Sequence, residues 1–199
     1  MYTRLSRCCH MFGVLSLVAC YASSPAPFAS GSVDAVAGST PLVLDAAAGE
    51  RRVRRTVGLQ AATLTAPFII KVDRKNGGAP DFVMGMEDIP PGQAIAGHRH
   101  LKADEILFIH RGSGTVELGD QRSAVGEGGT VYIPKDVRIA LRNTGTTPMS
   151  IIFIFSKPGF EDYLRETSVP EGQPVPPLSD EQRAAIRARH QSHSVYDRP

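Results

Sequence analysis

Tryptophan is absent from the 199 residues, and aromatic side chains make up only 7% of them. Cysteine is scarce and confined: Cys8, Cys9 and Cys20 are the only three, all within the first twenty positions. Whatever folds beyond them therefore has no internal disulfide and no thiolate chemistry. Charge of one sign is lacking as well. The formal net charge is +2, and Arg4 and Arg7 account for it, because the first twenty residues hold no acid; the remainder balances 20 basic residues against 20 acidic ones. A balanced chain presents no electrostatic footprint for nucleic acid. Heptads and internal repeats are missing too, so the sequence offers nothing to drive larger helical or repeat assemblies.

The N-terminus does carry an export pattern. Arg4, Arg7 and His10 form a basic start, followed by an apolar stretch over residues 11–19 that is too short to span a bilayer as a permanent helix. Leu17-Val18-Ala19-Cys20 resembles the lipobox of bacterial lipoproteins. That resemblance implies lipidation of Cys20, which would become the new N-terminus. Tyr21, where an aspartate would retain the protein, implies the outer membrane. Membrane contact is then through the lipid anchor alone. Ordinary secretory cleavage further on, near Ala22-Ser23 or Ala29-Ser30, is the competing reading. Residues 21–50 are rich in Ala, Ser, Gly and Pro, lack apolar periodicity, and read as a flexible tether with a reach on the order of 30 Å. The basic cluster at 51–55 reads as a solvated strand edge, with anionic lipid as the alternative contact.

From residue 56 to 156 short runs of β-branched and aromatic residues alternate with Gly, Pro, Asn and Asp turns. The clearest runs are 67–72, 82–86, 105–109, 115–118, 130–133, 137–141 and 149–155. Many short strands at close spacing predict an antiparallel sandwich or barrel. Two short helices follow. One begins at Phe160, with apolar residues at i, i+3 and i+4. The other follows Ser179, whose spacing to Gln182 fits a capping box, and runs to about His190, with Arg187 and Arg189 near its negative end. These helices are expected to cover barrel edges. The resulting division is a signal segment at 1–20, a tether at 21–50, a barrel at 51–157 and a helical extension at 158–199.

The chemistry concentrates at residues 92–112. His98 and His100 are one residue apart, so in a strand they project to the same face. Glu105 opens the next apolar run. A fold-back at Lys102-Ala103 would set its carboxylate across the strand pair from both imidazoles. Two neutral nitrogens and one carboxylate oxygen make a metal site. Gly92, His98, His100, Glu105 and Gly112 also reproduce the spacing of the first motif of the cupins, and Gly128, Pro134 and Asn143 fit the second. The chain resembles a cupin over roughly 54–156. Resemblance implies an all-β double-stranded β-helix, or jelly-roll barrel, with His98, His100 and Glu105 as metal ligands. Two motif positions depart from the pattern. Asp136 stands where the family has glycine, and Ile139 stands where it has the fourth ligand, a histidine. Three ligands still match the facial arrangement of non-haem Fe(II) sites.

A divalent ion held this way keeps a net charge of +1 and attracts an anionic oxygen ligand. The metal is expected to be iron, manganese, zinc or nickel, and Ile139 turns one pocket wall apolar. The opposite reading is a degenerate barrel whose three polar residues bond each other or water. His110 has parity opposite to Glu105 and is expected to point outward. His190 and His193 could supply a missing ligand if the tail folds back, against the plainer expectation of a solvated terminus. Arg99, Arg138 and Arg142 are expected to face outward; Leu107 and Ile133 are expected to line the pocket. The functional expectation is an exported metal-binding cupin, acting as a dioxygenase or isomerase on a small organic substrate, with Glu105 as the catalytic group. The alternative is a non-catalytic small-molecule or metal-binding lipoprotein, or a purely structural envelope protein. Resemblance alone adds a homodimer.

Overall fold

The computed structural model describes residues 39–56 and 66–197. The expected signal segment with Cys20, and the first part of the expected tether, lie outside these residues. In chain order the strands are β1 Glu50–Arg54, β2 Phe68–Val72, β3 Val83–Ile89, β4 Ala94–His100, β5 Glu105–Arg111, β6 Ser113–Leu118, β7 Gln121–Gly126, β8 Thr130–Ile133, β9 Ile139–Asn143 and β10 Met149–Phe155. There follow α1 Phe160–Glu166, β11 Ser168–Pro170, α2 Asp180–His190 and β12 Ser194–Tyr196. The strands form two antiparallel sheets, in the orders β11-β1-β2-β3-β10-β5-β8 and β12-β4-β9-β6-β7.

Alternation in the sequence builds the interior. β3 turns Val83, Gly85, Glu87 and Ile89 inward, β5 turns Glu105, Leu107 and Ile109 inward, and β10 adds Ile151, Phe153 and Phe155. β9 contributes Ile139 and Leu141 from the other sheet. Gly85 stands opposite Phe153 in the β3–β10 register, and a Cβ there would collide with the Phe153 ring, so only glycine fits. The opposite parity leaves an outward apolar face. Tyr132, Ile106, Ile154 and Met84 make one cross-strand row, and Phe108, Ile152 and Met86 make the next.

The structure revises the sequence reading at the edges. The basic cluster at 51–55 is not a solvated edge: β1 lies between β11 and β2. Arg52 is buried, donating to Ser168 Oγ at 2.6 Å, Glu50 Oε1 at 2.7 Å and the carbonyls of Arg165 and Ser168 at 2.9 and 3.0 Å. Those acceptors, three of them brought by the C-terminal extension and the fourth by Glu50 of β1 itself, are what let a guanidinium leave water. The tail is not solvated either, since β12 returns to pair with β4. One edge of each sheet is thus completed by β11 or β12, and residues of both helices wall the interior cavity. α1 buries Phe160, Tyr163 and Leu164, and α2 buries Ile186. The capping box at Ser179 and Gln182 forms as expected. Of the tether, the described residues are attached to the barrel. Thr40 N–H donates to Gly77 O, and Lys71 Nζ donates to the carbonyls of Asp45, Ala46 and Ala48 at 2.8, 2.6 and 2.6 Å. Burial lowers the Lys71 pKa. Among the described residues no helix is long and apolar enough to cross a membrane.

Candidate metal centre

His98 and His100 both point inward from β4, as the two-residue period requires, and are 5% and 2% exposed. Glu105, the first residue of β5, is 5% exposed. The expected fold-back that sets Glu105 across a strand pair does not occur. β4 and β5 belong to different sheets, and the carboxylate meets the imidazoles across the barrel interior. The outcome for the ligands is the same. His98 Nε2 lies 3.0 Å from His100 Nε2, and His100 Nε2 lies 3.3 Å from Glu105 Oε2. All three donor groups fall within 4.8 Å of one another.

Polar bookkeeping at this cluster favours a cation. His98 Nδ1 is 2.8 Å from the Ala96 carbonyl, which only an N–H can satisfy, so Nε2 presents a lone pair to the interior. Burial above all, and then repulsion from His100, pulls the His98 pKa down to about 4 against the opposing pull of Glu105, so the ring is neutral near pH 7. His100 Nδ1 and Glu105 Oε2 are buried without a hydrogen-bond partner. A proton on His100 Nε2 can bridge to only one of His98 and Glu105, and His100 Nδ1 lacks a partner whether or not it carries the proton, so the demand for a cation comes from the three facing atoms. A cation would satisfy both Nε2 lone pairs and the carboxylate together. Cis donor atoms on metal bonds of about 2.1 Å stand about 3.0 Å apart, close to the two separations seen here. The residues therefore fit a divalent ion.

The remaining candidates fall as follows. Ile139 is 1% exposed and pairs in register with His98, so the fourth ligand position holds an apolar side chain; it is packed in the core and, against expectation, does not line the cavity beside His98 and Glu105. Asp136 has φ 64, the left-handed region that favours glycine and that a short acid tolerates; its N–H donates to His100 O at 2.7 Å. Asn143 is fully buried and structural, donating from Nδ2 to Ile89 O and Thr147 O and accepting from Gly145 N–H. His110 is exposed, as its parity requires. His190 lies 3.0 Å from Glu166, and His193 sits by Ser192 and Gly159; neither joins the cluster. Arg99 faces outward, donating to Asp136 O, while Arg138 bonds Glu117 and Asp197, and Arg142 bonds Gly92 O.

A cavity of about 280 Å³ opens beside His98 and Glu105. Leu107, Ile151, Phe153, Phe155, Leu164 and Leu178 give it an apolar body. Leu107 lines it as expected; Ile133 is buried in the core and does not. Several of its residues had no sequence signal. Tyr196 stacks on His98 at 5.3 Å between centroids, and Phe160 meets the His100 ring edge-on at 4.4 Å. Arg54 reaches the cavity from β1 and holds Glu87 through two bonds of 2.8 and 2.9 Å. The period-two spacing of Arg52 and Arg54 was the one available hint that this cluster has an inward face.

Comparison with known proteins agrees with this architecture. Residues 85–155, from β3 through β10 and with all three donor residues, match the family model described as Cupin domain. Protein SchB of Streptomyces halstedii is 34% identical over 76 residues, covering 38% of this chain and 55% of that protein. The uncharacterized protein MJ1618 of Methanocaldococcus jannaschii is 31% identical over 64 residues, covering 32% and 51%. The chain spans about half the length of these curated relatives. A crystal structure of a predicted oxalate decarboxylase from Thermotoga maritima superposes with a TM-score of 0.51 at 14% identity, over 59% of this chain and 100% of that one. The fold is the cupin double-stranded β-helix. The stretch that matches the Cupin domain model therefore lies on a fold of that type.

Proposed function

We propose that this chain is an exported metalloprotein whose His98, His100 and Glu105 hold one divalent ion beside a cavity for a small organic ligand, and that it converts that ligand as a dioxygenase or isomerase. The observation that carries the reading is the convergence of three buried donors at 3.0 and 3.3 Å, with Glu105 Oε2 unpartnered, on the wall of an apolar cavity. Such an ion supplies Lewis acidity and open positions for oxygen ligands. The protein holds the donors in place. Ala96 O fixes the His98 tautomer, Tyr196 backs the His98 ring, and Phe155 and Phe160 shield His100. Glu105 supplies the formal negative charge of the donor set.

Turnover is tested by oxygen uptake and substrate loss on a panel of phenols and diketones. Glu105→Gln should abolish any turnover while the far-ultraviolet circular dichroism stays that of the wild type; unchanged turnover in that variant would exclude the mechanism. Ile139 favours a second reading, a non-catalytic binding protein, because a buried apolar side chain stands at the fourth donor position. In that case ligand and metal bind with no product. Export, and lipidation at Cys20 as the sole membrane contact, are supported by the sequence of residues 1–20. A homodimer is also part of the proposal, and the outward rows of Ile106, Tyr132, Phe108, Ile152 and Ile154 favour pairing with a second copy.

A further inference from the structure

We infer that the cavity selects a carboxylate, held by Arg187 at the end away from the metal centre, so that the ligand is a small organic acid with an apolar or aromatic body. This rests on the reading of the cavity as a ligand site. Four arginines, Arg54, Arg55, Arg183 and Arg187, line it against two carboxylates, Glu87 and Glu105. Three of the four are committed. Arg54 is held by Glu87, Arg55 donates to the carbonyls of Pro176 and Pro177, and Arg183 pairs with Asp180 at 2.9 Å.

Arg187 is different. Among the described residues it makes no ion pair and donates no hydrogen bond, and its Nε is buried without a partner. A buried N–H left unpaired is costly, and an acceptor entering the cavity would relieve it. An ionised acceptor would relieve it best, since a guanidinium meets a carboxylate with two parallel donors. The position of Arg187 is also fixed. Its guanidinium carbon sits 4.5 Å over the Tyr196 ring, which also neighbours Tyr163 at 5.2 Å and stacks on His98 at 5.3 Å and 20° between planes. One aromatic ring thus separates the free guanidinium from the metal centre. Much of the cavity lining is apolar, Phe155, Phe160, Leu164 and Leu178 among it. A ligand with one oxygen at the centre and a carboxylate at Arg187 would match both ends and the wall between them. The small cavity volume keeps the body to about one ring.

Phenylacetate and its neutral amide, phenylacetamide, are suitable probes, titrated calorimetrically into the full chain in metal-free and metal-loaded forms. Phenylacetate should bind at least about tenfold more tightly than the amide, and Arg187→Gln should remove that preference. Arg183→Gln, which loses an arginine that already has its own carboxylate, should preserve it. Equal binding of acid and amide by the wild type, or an Arg187→Gln variant with unchanged preference, would overturn the proposal, as would no binding of phenylacetate in either form. The metal reading fails separately. If no ion binds but the acid preference still depends on Arg187, the carboxylate subsite stands without the metal.

Discussion

Replacing Glu87 by leucine tests whether the interior is organised around compensated charge. Glu87 is 3% exposed in its side chain and Arg54 18%, and the two share bonds of 2.8 and 2.9 Å. Arg54 also lies 4.7 Å over the Phe68 ring, so the guanidinium is held on two sides. Burial opposes its charge, yet Glu87 more than offsets this and keeps the Arg54 pKa above its ordinary value. Removing one partner of a buried pair costs about 3–5 kcal/mol, because the other charge is left behind. Arg54 borders the cavity, where water can reach it, so the cost should fall near the lower end, about 3 kcal/mol. For a domain of this size that is a melting-temperature drop of roughly 6–12 °C. The double variant Arg54→Met with Glu87→Leu should recover most of the loss, since an apolar pair of similar volume leaves no orphaned charge. Urea unfolding of the wild type, both single variants and the double variant, at fixed metal content, measures the cycle. A single-variant loss under about 1 kcal/mol, or a double variant as unstable as Glu87→Leu, would refute the argument.

Two further outcomes follow from the centre itself. Ile139→His should raise metal affinity at least about tenfold in chelator competition, because residue 139 stands opposite His98 in the β4–β9 register and shares its face; unchanged affinity would mean the position does not reach the ion. In metal-free protein, His98 has a pKa near 4 against an ordinary 6.5. The unfolded chain then takes up a proton below pH 6.5 that the folded chain refuses until about pH 4. Its contribution to stability is whole above pH 6.5 and lost as the pH falls through that window, by roughly 3 kcal/mol. Urea unfolding at pH 7.5, 5.5 and 4.5 should show this loss shrinking in His98→Asn; an identical pH profile in the two proteins would exclude it.

Local pattern carried much of the fold. The runs that became β2, β3, β5, β6, β8, β9 and β10 announce themselves by β-branched residues between turn residues, and the capping box announces α2. What local pattern cannot carry is partner choice. β7 is a polar, mostly exposed edge strand, so it shows no apolar alternation. β11 and β12 are three residues each and exist only because they find β1 and β4 more than ninety residues away in sequence. The same limit governs the site. His98, His100 and Glu105 are legible from their spacing, yet that spacing suggested a hairpin, and the donors actually meet between two sheets. Tyr196, Phe160 and Arg187 enter the site on the returning C-terminal segment. No feature within ten residues of any of them marks that destination. Arg54 misled for another reason: a guanidinium is read as surface unless its acceptor is known, and Glu87 lies 33 residues away.

Elemental analysis of the purified full chain, with and without one donor, tests the central claim most directly. One divalent ion per chain, lost together in His98→Ala, His100→Ala and Glu105→Ala variants that keep the wild-type circular dichroism, is the result the three converging donors require. A folded wild-type chain that takes up no iron, manganese, zinc or nickel on reconstitution, or that binds an ion equally well without these side chains, would contradict it.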